Sequence, residues 1–322
     1  MKREELLKRL GFNVPENRKK RVIVHSDIAA EADDAFAIVH HLLTPSEDVR
    51  GIIAANFEWK YRTNPRLQAE RGKSMERSYQ MGQEILNQLE IDDVPLVRGS
   101  VDCISDSLRP GLSDGARLII DEALRADDSP LYIALQAGLT DLAQALLARP
   151  EIAAHIAAAI WIGGAAYPDG GPCANLQQDV YAAQVIFDST IPLWQIPRDV
   201  YSSCTISLTE LTARIKPCGK IGSWLNDLML GVNAWYGAIP MRLSFPHGES
   251  WCLGDQPTVG VLLQIEDGSR FRTIRAPHID DDMSYRHSET NREIRVYEEI
   301  DRRLMFEDFY LKLQLIAKEQ CI

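Results

Sequence analysis

Four carboxylates lie close together in one short segment of the chain. This acidic cluster consists of Asp27, Glu31, Asp33 and Asp34, and it follows a short apolar run at 22–24. Packing like charges together is costly unless a cation or strong hydrogen-bond donors compensate. Carboxylate oxygens suit Ca²⁺ or Mg²⁺, so the cluster indicates a site for a hard divalent cation. The alternative is a solvated loop in which Asp33 or Asp34 caps the following helix.

Motifs for several other chemistries are missing from the sequence. It has no HExxH motif and no paired Cys/His spacing for zinc. GxSxG, GxGxxG and Walker A motifs are also absent, which weighs against an α/β-hydrolase, a dinucleotide enzyme or a P-loop NTPase. The cysteines show no CxxC spacing, which favours reduced thiols. They are Cys103, Cys173, Cys204, Cys218, Cys252 and Cys321.

The charge balance excludes some partners. The 322 residues include 35 Lys+Arg and 46 Asp+Glu, for a formal net charge of −11. An acidic chain without a long basic run lacks the footprint that nucleic acids and anionic membranes require, so we expect neither partner. No apolar run reaches the roughly 18 residues of a membrane span, and the charged start MKREELLKRLGF does not resemble a secretory signal. We therefore expect a cytoplasmic protein.

Strand and helix patterns alternate along the chain and would position the acidic cluster. Short apolar runs predict strands at 22–24, 51–55, 94–97, 131–135, 157–162 and 191–196, and the β-branched run at 22–24 is predicted to be a buried parallel strand. Helical patterns fall at 33–43, 65–90, 114–126, 139–147 and 180–187; segment 205–250 is helical and aromatic, and a last strand and helix are predicted at 257–265 and 303–318. This alternation predicts an α/β fold with a mostly parallel central sheet flanked by helices, as one domain over 1–322. Ligands of such sheets bind beyond the carboxyl ends of the strands, where the acidic cluster begins.

The acidic cluster belongs to a longer motif, D-x-x-x-E-A-D-D-x-F-A-I-V-H, that starts at Asp27. It resembles the N-terminal metal motif of the inosine–uridine-type nucleoside hydrolases, in a branch with a longer metal loop. Other similar segments follow in the family's order. They are Leu139-Thr-Asp-Leu-Ala, Trp161-Ile-Gly-Gly-Ala, Asn175-Leu-Gln-Gln-Asp, Ile191-Pro-Leu with Pro197-Arg-Asp-Val, and Leu253-Gly-Asp-Gln-Pro. The resemblance spans about residues 20–315 and implies that family's Rossmann-like open sheet.

Family members cleave the N-glycosidic bond of ribonucleosides, with a Ca²⁺ ion that holds the ribose diol and a water. The resemblance therefore implies Ca²⁺ as cofactor and a nucleoside as substrate. Carried over by position, Asp27 would be a calcium ligand and the general base that activates the metal-bound water. Asp34 and Asp255 would be further ligands, and Gln136 would offer its backbone carbonyl.

The resemblance also implies residues that bind the sugar. Asp33 and Asn175 would hydrogen-bond the ribose hydroxyls, and Asn56, after the second predicted strand, is a weaker candidate. Glu31 is peculiar to the longer loop. Either it contacts the metal or the sugar, or it only caps the following helix.

Three departures from the family pattern bear on substrate and mechanism. Cys173 stands where the family has a Glu for the ribose 5′-hydroxyl, so we expect a 5′ end that is modified, deoxygenated or less tightly held. Gly254 stands where some members have a His acid, so the leaving base must be activated from elsewhere. His25 either hydrogen-bonds Asp27 or is a buried, structurally satisfied histidine.

Aromatic residues of the C-terminal half are candidates for the base side of the site. Trp251 and Tyr285 are the substrate-binding candidates, and Trp235, Tyr236 and His247 lie in the same variable region. A stack of such rings would bind a purine-like base. For each residue taken singly, a packing or surface role is the alternative.

The sequence thus predicts a Ca²⁺-dependent nucleoside hydrolase of purine or pyrimidine salvage, and the resemblance implies a homodimer or homotetramer. The alternative is a catalytically silent sugar- or nucleoside-binding protein, favoured by the loss of carboxylate at Cys173 and of acid at Gly254. A third hypothesis, an Mg²⁺-dependent phosphatase, requires phosphate-binding cations. Only Arg198 is an obvious candidate after a strand.

Overall fold

Strands and helices alternate through most of the chain. The computed structural model describes residues 1–63, 69–104, 111–238, 248–265 and 268–318. The strands are β1 (Lys20–Ser26), β2 (Glu47–Ala54), β3 (Leu96–Arg98), β4 (Leu131–Leu135), β5 (Ile156–Ile162), β6 (Leu193–Ile196), β7 (Thr205–Ser207), β8 (Ser250–Cys252), β9 (Arg270–Arg275), β10 (His278–Ile279), β11 (Tyr285–Arg286) and β12 (Glu293–Glu299). The helices are α1 (Arg3–Leu7), α2 (Asp33–Leu42), α3 (Glu58–Thr63), α4 (Ser74–Gln88), α5 (Asp114–Ala123), α6 (Thr140–Ala148), α7 (Ala174–Gln178), α8 (Val180–Phe187), α9 (Arg198–Tyr201), α10 (Leu208–Arg214), α11 (Gly219–Gly237), α12 (Pro257–Leu263) and α13 (Arg302–Lys318).

The main sheet has eight strands in the order β3-β2-β1-β4-β5-β6-β12-β9. Every neighbouring pair is parallel except β12 and β9, which are antiparallel. Two small antiparallel pairs, β7 with β8 and β10 with β11, lie outside this sheet. The predicted fold class, a mostly parallel sheet flanked by helices, is confirmed.

Both faces of the sheet are buried, as a continuous apolar strand requires. Successive side chains of β1 point to opposite faces, so Val22 and Val24 pack into one core and Ile23 into the other. The first core takes apolar side chains from α2, α11, α12 and α13, and the second takes them from α5, α6 and α8. The carboxyl ends of the parallel strands therefore lie at one edge of the sheet, between two layers of helices.

The strands β1 to β6 and the helices α2, α4, α5, α6 and α8 overlap the elements predicted for them. The strand predicted at 257–265 is wrong, because Pro257–Leu263 forms a helix. This run is buried over almost its whole length, so its apolar residues show no periodicity that separates strand from helix. Pro257 occupies the start of the helix, where its missing N–H costs nothing.

The C-terminal half also contains strands that the sequence analysis missed. Segment 205–250, predicted as helical, begins with β7, and β9 and β12 extend the main sheet beyond β6. β9 carries three arginines along an exposed sheet edge, which blunts edge pairing but makes the segment resemble a polar loop. Among the described helices, none is both long enough and apolar enough to span a bilayer.

Candidate active site

A narrow cleft lies at the carboxyl ends of the central strands. It has a volume of about 50 Å³, enough for a cation and a few waters. The predicted site residues that line it are Asp27, Glu31, Asp33, Asp34, Gln136, Asn175 and Asp255. A larger cavity of about 570 Å³ lies at the opposite end of β1 and β2, and none of the predicted site residues lines it. The structure therefore gathers most of the predicted site into one place.

Three carboxylates form the centre of the cleft. Asp33, Asp34 and Asp255, called here the aspartate triad, place one oxygen each within 4.8 Å of one another. Loss of water contact, followed by repulsion from neighbouring carboxylates of the cleft, raises the pKa of each carboxyl well above its ordinary value. Burial raises the pKa of Asp27 to about 7, although the charge of Lys60 opposes the shift. Such a set of buried, mutually repelling carboxylates is suited to a hard divalent cation.

Hydrogen bonds hold the triad in place from two sides. The Ser26 hydroxyl, at the end of β1, donates to Asp34 Oδ1 at 2.5 Å. The Gly254 amide donates to Asp33 Oδ2 at 3.0 Å, which ties the loop before α12 to the start of α2. A Cβ at position 254 would lie 3.2 Å from the Tyr201 ring and 3.4 Å from Asp33 Oδ2. Gly254 therefore permits a close approach that a side chain would crowd.

Two main-chain carbonyls orient the amide of Asn175. Its Nδ2 donates to Gln136 O at 3.2 Å and to Ile162 O at 2.8 Å. Gln136 directly follows β4, and Ile162 is the last residue of β5, so the ends of these two strands fix the position of Asn175. The Gln136 carbonyl, predicted as a metal ligand, thus also accepts this N–H.

Glu31 is engaged by a lysine that the sequence analysis did not single out. Lys60 Nζ lies 2.9 Å from Glu31 Oε1 and 2.9 Å from Ala30 O. The Tyr236 hydroxyl lies 3.2 Å from Lys60 Nζ and 3.3 Å from Glu31 Oε1. Burial lowers the pKa of Lys60, but the charges of Glu31, Tyr236 and Asp27 raise it on balance above its ordinary value. Ala32 is the N-cap of α2 and no side chain caps it, so Glu31 is not the helix cap.

Cys173 contacts the cleft through a neighbour. Its buried Sγ lies 3.4 Å from the hydroxyl of Tyr201, and Tyr201 lines the cleft. Burial, together with the nearby Cys173, raises the pKa of Tyr201 well above its ordinary value. The thiol of Cys173 is therefore paired with a neutral phenol.

Two predicted residues make structural contacts at the strand ends. Asn56 donates to Ser100 O at 3.1 Å and accepts from Gln178, so its side chain is bound within the protein. His25 Nε2 lies 2.8 Å from Asp141 Oδ2, with both side chains buried. Neither residue lines the cleft as the described residues form it. For His25, the structure supports a buried histidine bound to Asp141 through Nε2 rather than a partner of Asp27, and His25 Nδ1 has no hydrogen-bond partner among the described residues.

The C-terminal aromatic candidates lie outside the lining of the cleft, as far as the described residues show. Trp251 is fully buried and packs on Tyr236 with ring centroids 5.5 Å apart. The Tyr285 hydroxyl accepts from Gln195 at 3.0 Å, and Trp235 is 52% exposed. His247 and Cys321 lie outside the described residues, and the five other cysteines are free.

Sequence reasoning missed several residues that line the cleft: Trp59, Lys60, Tyr201 and Cys252. A usable signal was present for two of them. Trp59 and Lys60 follow the end of β2, and the rule that directed attention to the residues after β1 applies equally there. Tyr201 comes from the short α9 after β6, and Cys252 from β8, which was not predicted.

Comparisons with known proteins bear on the family and on the fold. The sequence model of the inosine-uridine preferring nucleoside hydrolases matches residues 68–307, and no curated protein matches the chain. The purine-preferring ribonucleoside hydrolase from Gardnerella vaginalis superposes with a TM-score of 0.73 at 18% identity, over 93% of this chain and 100% of that one. For a plant nucleoside hydrolase, PpNRh1, the values are 0.70, 17%, 92% and 99%. The type III effector XopQ, solved with adenosine diphosphate ribose, gives 0.64 and 14%, over 99% of both chains.

At these identities the solved structures establish the likeness of fold. The matched range of the sequence model begins after the acidic cluster, so the roles of Asp27, Asp33 and Asp34 depend on the geometry of the cleft.

Proposed function

Since this chain belongs to the inosine–uridine-preferring nucleoside hydrolase family, it is a hydrolase of N-glycosyl bonds, and we propose that it splits a ribonucleoside or modified ribonucleoside in a Ca²⁺-dependent reaction. The products are the free base and ribose, or the correspondingly modified sugar. The observation that carries the proposal is the convergence of Asp27 and the aspartate triad in one cleft at the strand ends.

The donor set fits a calcium ion. Asp34, Asp255 and Asp27, with the carbonyl of Gln136, would hold it, and Asp33 is close enough to the other triad members to act as a ligand as well as a sugar acceptor. This many protein oxygens is typical of Ca²⁺, whereas Mg²⁺ usually keeps several waters. When bound, the cation offsets the carboxylate charges, orients the sugar diol and lowers the pKa of a water molecule.

Asp27 is the proposed general base. The water oxygen bonds to C1′ of the sugar while the C1′–N bond breaks. The electron pair of the C1′–N bond leaves with the nucleobase. Asp27 accepts the proton of the attacking water, and the departing base takes a proton from solvent. Because positive charge develops on the sugar in the transition state, the surrounding carboxylates stabilise it.

Side chains around the cleft would select the substrate. Asn175 and Asp33 would bind the ribose hydroxyls, as the resemblance implies. The Cys173–Tyr201 pair would face the 5′ end of the sugar. Because it offers no carboxylate to bind a 5′-hydroxyl, the pair would favour a less polar substituent at that position. Trp59 and Tyr201 line the cleft, and we propose that one of these rings, rather than Trp251 or Tyr285, packs against the base.

A panel of natural and 5′-modified nucleosides, assayed for reducing sugar with Ca²⁺ present, tests the proposal. We expect sugar release from some member of the panel, and loss of that release with a chelator. Tight ribose or nucleoside binding without turnover would instead favour the silent binding protein, for which the loss of carboxylate at Cys173 is the supporting observation. A cytoplasmic homo-oligomer acting in nucleoside salvage completes the proposal and is supported by the family resemblance.

A further inference from the structure

One buried hydroxyl connects three segments that supply the cleft. Thr258, in the first turn of α12, donates its Oγ1 hydrogen to Asp255 O at 2.8 Å. The same oxygen lies 2.8 Å from Gln136 Nε2 and 3.0 Å from His41 Nε2. Because a threonine hydroxyl has only one hydrogen, Oγ1 accepts from both of these nitrogens. Thr258 and His41 are fully buried and Gln136 is 1% exposed, so water does not compete for these bonds.

His41 is itself held by a second buried group. Its Nδ1 lies 2.6 Å from Glu47 Oε2, within hydrogen-bond distance. Glu47 is 1% exposed and begins β2, whereas His41 lies near the end of α2. The ring therefore has both nitrogens engaged, one to the sheet and one to Thr258. Its orientation is fixed along with the position of α2.

These contacts join the elements that carry the proposed metal donors. The helix α2 begins with Asp33 and Asp34, Asp255 precedes α12, and Gln136 follows β4. The amide of Gln136 is oriented by its bond to Thr258, since Gln136 Oε1 has no hydrogen-bond partner among the described residues. A change at Thr258 therefore reaches Asp255 and Gln136 without touching the carboxylates themselves.

We propose that Thr258 and His41, supported by Glu47, are positioning residues that set the geometry of the divalent-cation site. The inference rests on the proposed function, since it assumes that the aspartate triad binds a cation. Groups behind the ligands of a metal site control affinity by orienting the donors, and their loss typically lowers metal affinity by about 10- to 100-fold. A purely structural role would change the stability of the protein and leave cation affinity in place.

The test compares threonine variants of the full chain, stripped of metal, by calorimetric titration with Ca²⁺ and by thermal unfolding without Ca²⁺. Thr258→Val keeps the shape of the side chain and removes the hydroxyl, whereas Thr258→Ser keeps the hydroxyl. Thr44→Val is the matched control: its buried Oγ1 donates to His40 O at 2.7 Å and lies 2.9 Å from Lys312 Nζ, and it contacts neither Asp255 nor Gln136.

We expect Thr258→Val to raise the Kd for Ca²⁺ by about 10- to 100-fold, Thr258→Ser to stay close to wild type, and Thr44→Val to lower the Tm without changing the Kd. A wild-type Kd in Thr258→Val overturns the inference, as does a wild type that binds no Ca²⁺. Should Thr258→Val fail to fold, Glu47→Gln decides: a raised Kd supports the inference and an unchanged Kd overturns it. Since the titration needs no substrate, a protein that binds Ca²⁺ but releases no sugar contradicts only the proposed function.

Discussion

The ammonium nitrogen of Lys60 lies 2.9 Å from Glu31 Oε1 in a cleft whose other charged lining residues, among those described, are all carboxylates. This pair joins α3, the helix after β2, to the loop after β1, and Lys60 also donates to Ala30 O of that loop. It therefore offsets one charge of the acidic cluster and fixes the loop that carries Asp27.

Removal of the Lys60 charge is predicted to destabilise the protein. Lys60→Met leaves Glu31 partly buried without its cation, and breaking such a pair costs about 3 kcal/mol of the free energy of unfolding. Urea denaturation measures the loss. The exposed Lys216→Met is the matched control and is expected to stay within about 0.5 kcal/mol of wild type. Equal stabilities of the two variants would contradict the proposed role of the pair, and Glu31→Gln combined with Lys60→Met should recover part of the loss.

The raised pKa of Asp27 predicts how stability depends on pH in the absence of metal. Because burial raises the pKa of Asp27 to about 7, the folded protein keeps a proton there that the unfolded chain releases near the ordinary pKa of 3.8. Between these values the folded state binds more protons, so its stability falls as the pH rises. Relative to Asp27→Asn, the wild type in chelator should lose stability from pH 4 to pH 7.

Denaturation at several pH values, with EDTA and with Ca²⁺, measures this difference. Added Ca²⁺ is expected to remove most of the pH dependence, because the cation favours the charged carboxylates. If the difference in the free energy of unfolding between wild type and Asp27→Asn stays constant over this pH range, the surroundings of Asp27 do not raise its pKa.

Gly254→Ala is predicted to weaken the site while the protein stays folded. The added Cβ would crowd the Tyr201 ring and Asp33 Oδ2, so the Gly254 amide would no longer reach its acceptor at 3.0 Å. We expect a loss of roughly tenfold in Ca²⁺ affinity or in kcat. Gly231→Ala is the control, since a Cβ there meets nothing within 4 Å and lies in the exposed face of α11. That variant should be more stable by about 0.5–1 kcal/mol with unchanged kinetics; similar kinetics in both variants would refute the argument.

His25 is predicted to contribute to stability and not to catalysis. His25→Ala removes the buried bond to Asp141, whose other oxygen accepts the Ser100 amide at 2.9 Å. An unsatisfied buried carboxylate oxygen costs about 1–3 kcal/mol. Thermal unfolding should show the loss, and kcat/KM per folded molecule should stay near wild type. A kcat/KM that falls by orders of magnitude while the Tm is unchanged would assign His25 to the reaction instead.

The fold and the centre of the site could be predicted because both depend on local pattern. The runs at 22–24 and 131–135 are short and apolar and form buried strands, and residues after such strands meet at one edge. The rule points to Asp27 after β1, whereas Gln136, after the neighbouring strand β4, was supplied by the resemblance. The resemblance supplied Asp255, which no local pattern connects to the acidic cluster.

The remainder depends on contacts between distant segments. Lys60 is 29 residues from Glu31, and Thr258 is 217 residues from His41. The local sequence around these residues therefore does not predict which partner each one contacts. The helix at Pro257–Leu263 was predicted as a strand because burial on all sides removes the periodicity that separates the two. Trp251 was a candidate for base binding because it is aromatic, but its full burial in the core was visible only in the structure.

The most direct test of the central claim is the rate of sugar release by Asp27→Asn under saturating Ca²⁺, with a nucleoside that the wild type hydrolyses. The substitution keeps the shape of the side chain and removes the carboxylate that acts as general base. Asp121→Asn, on the exposed side of α5, serves as the control. The account predicts that kcat falls by about 10²- to 10⁴-fold in Asp27→Asn and is unchanged in Asp121→Asn. A wild-type rate in Asp27→Asn would contradict it.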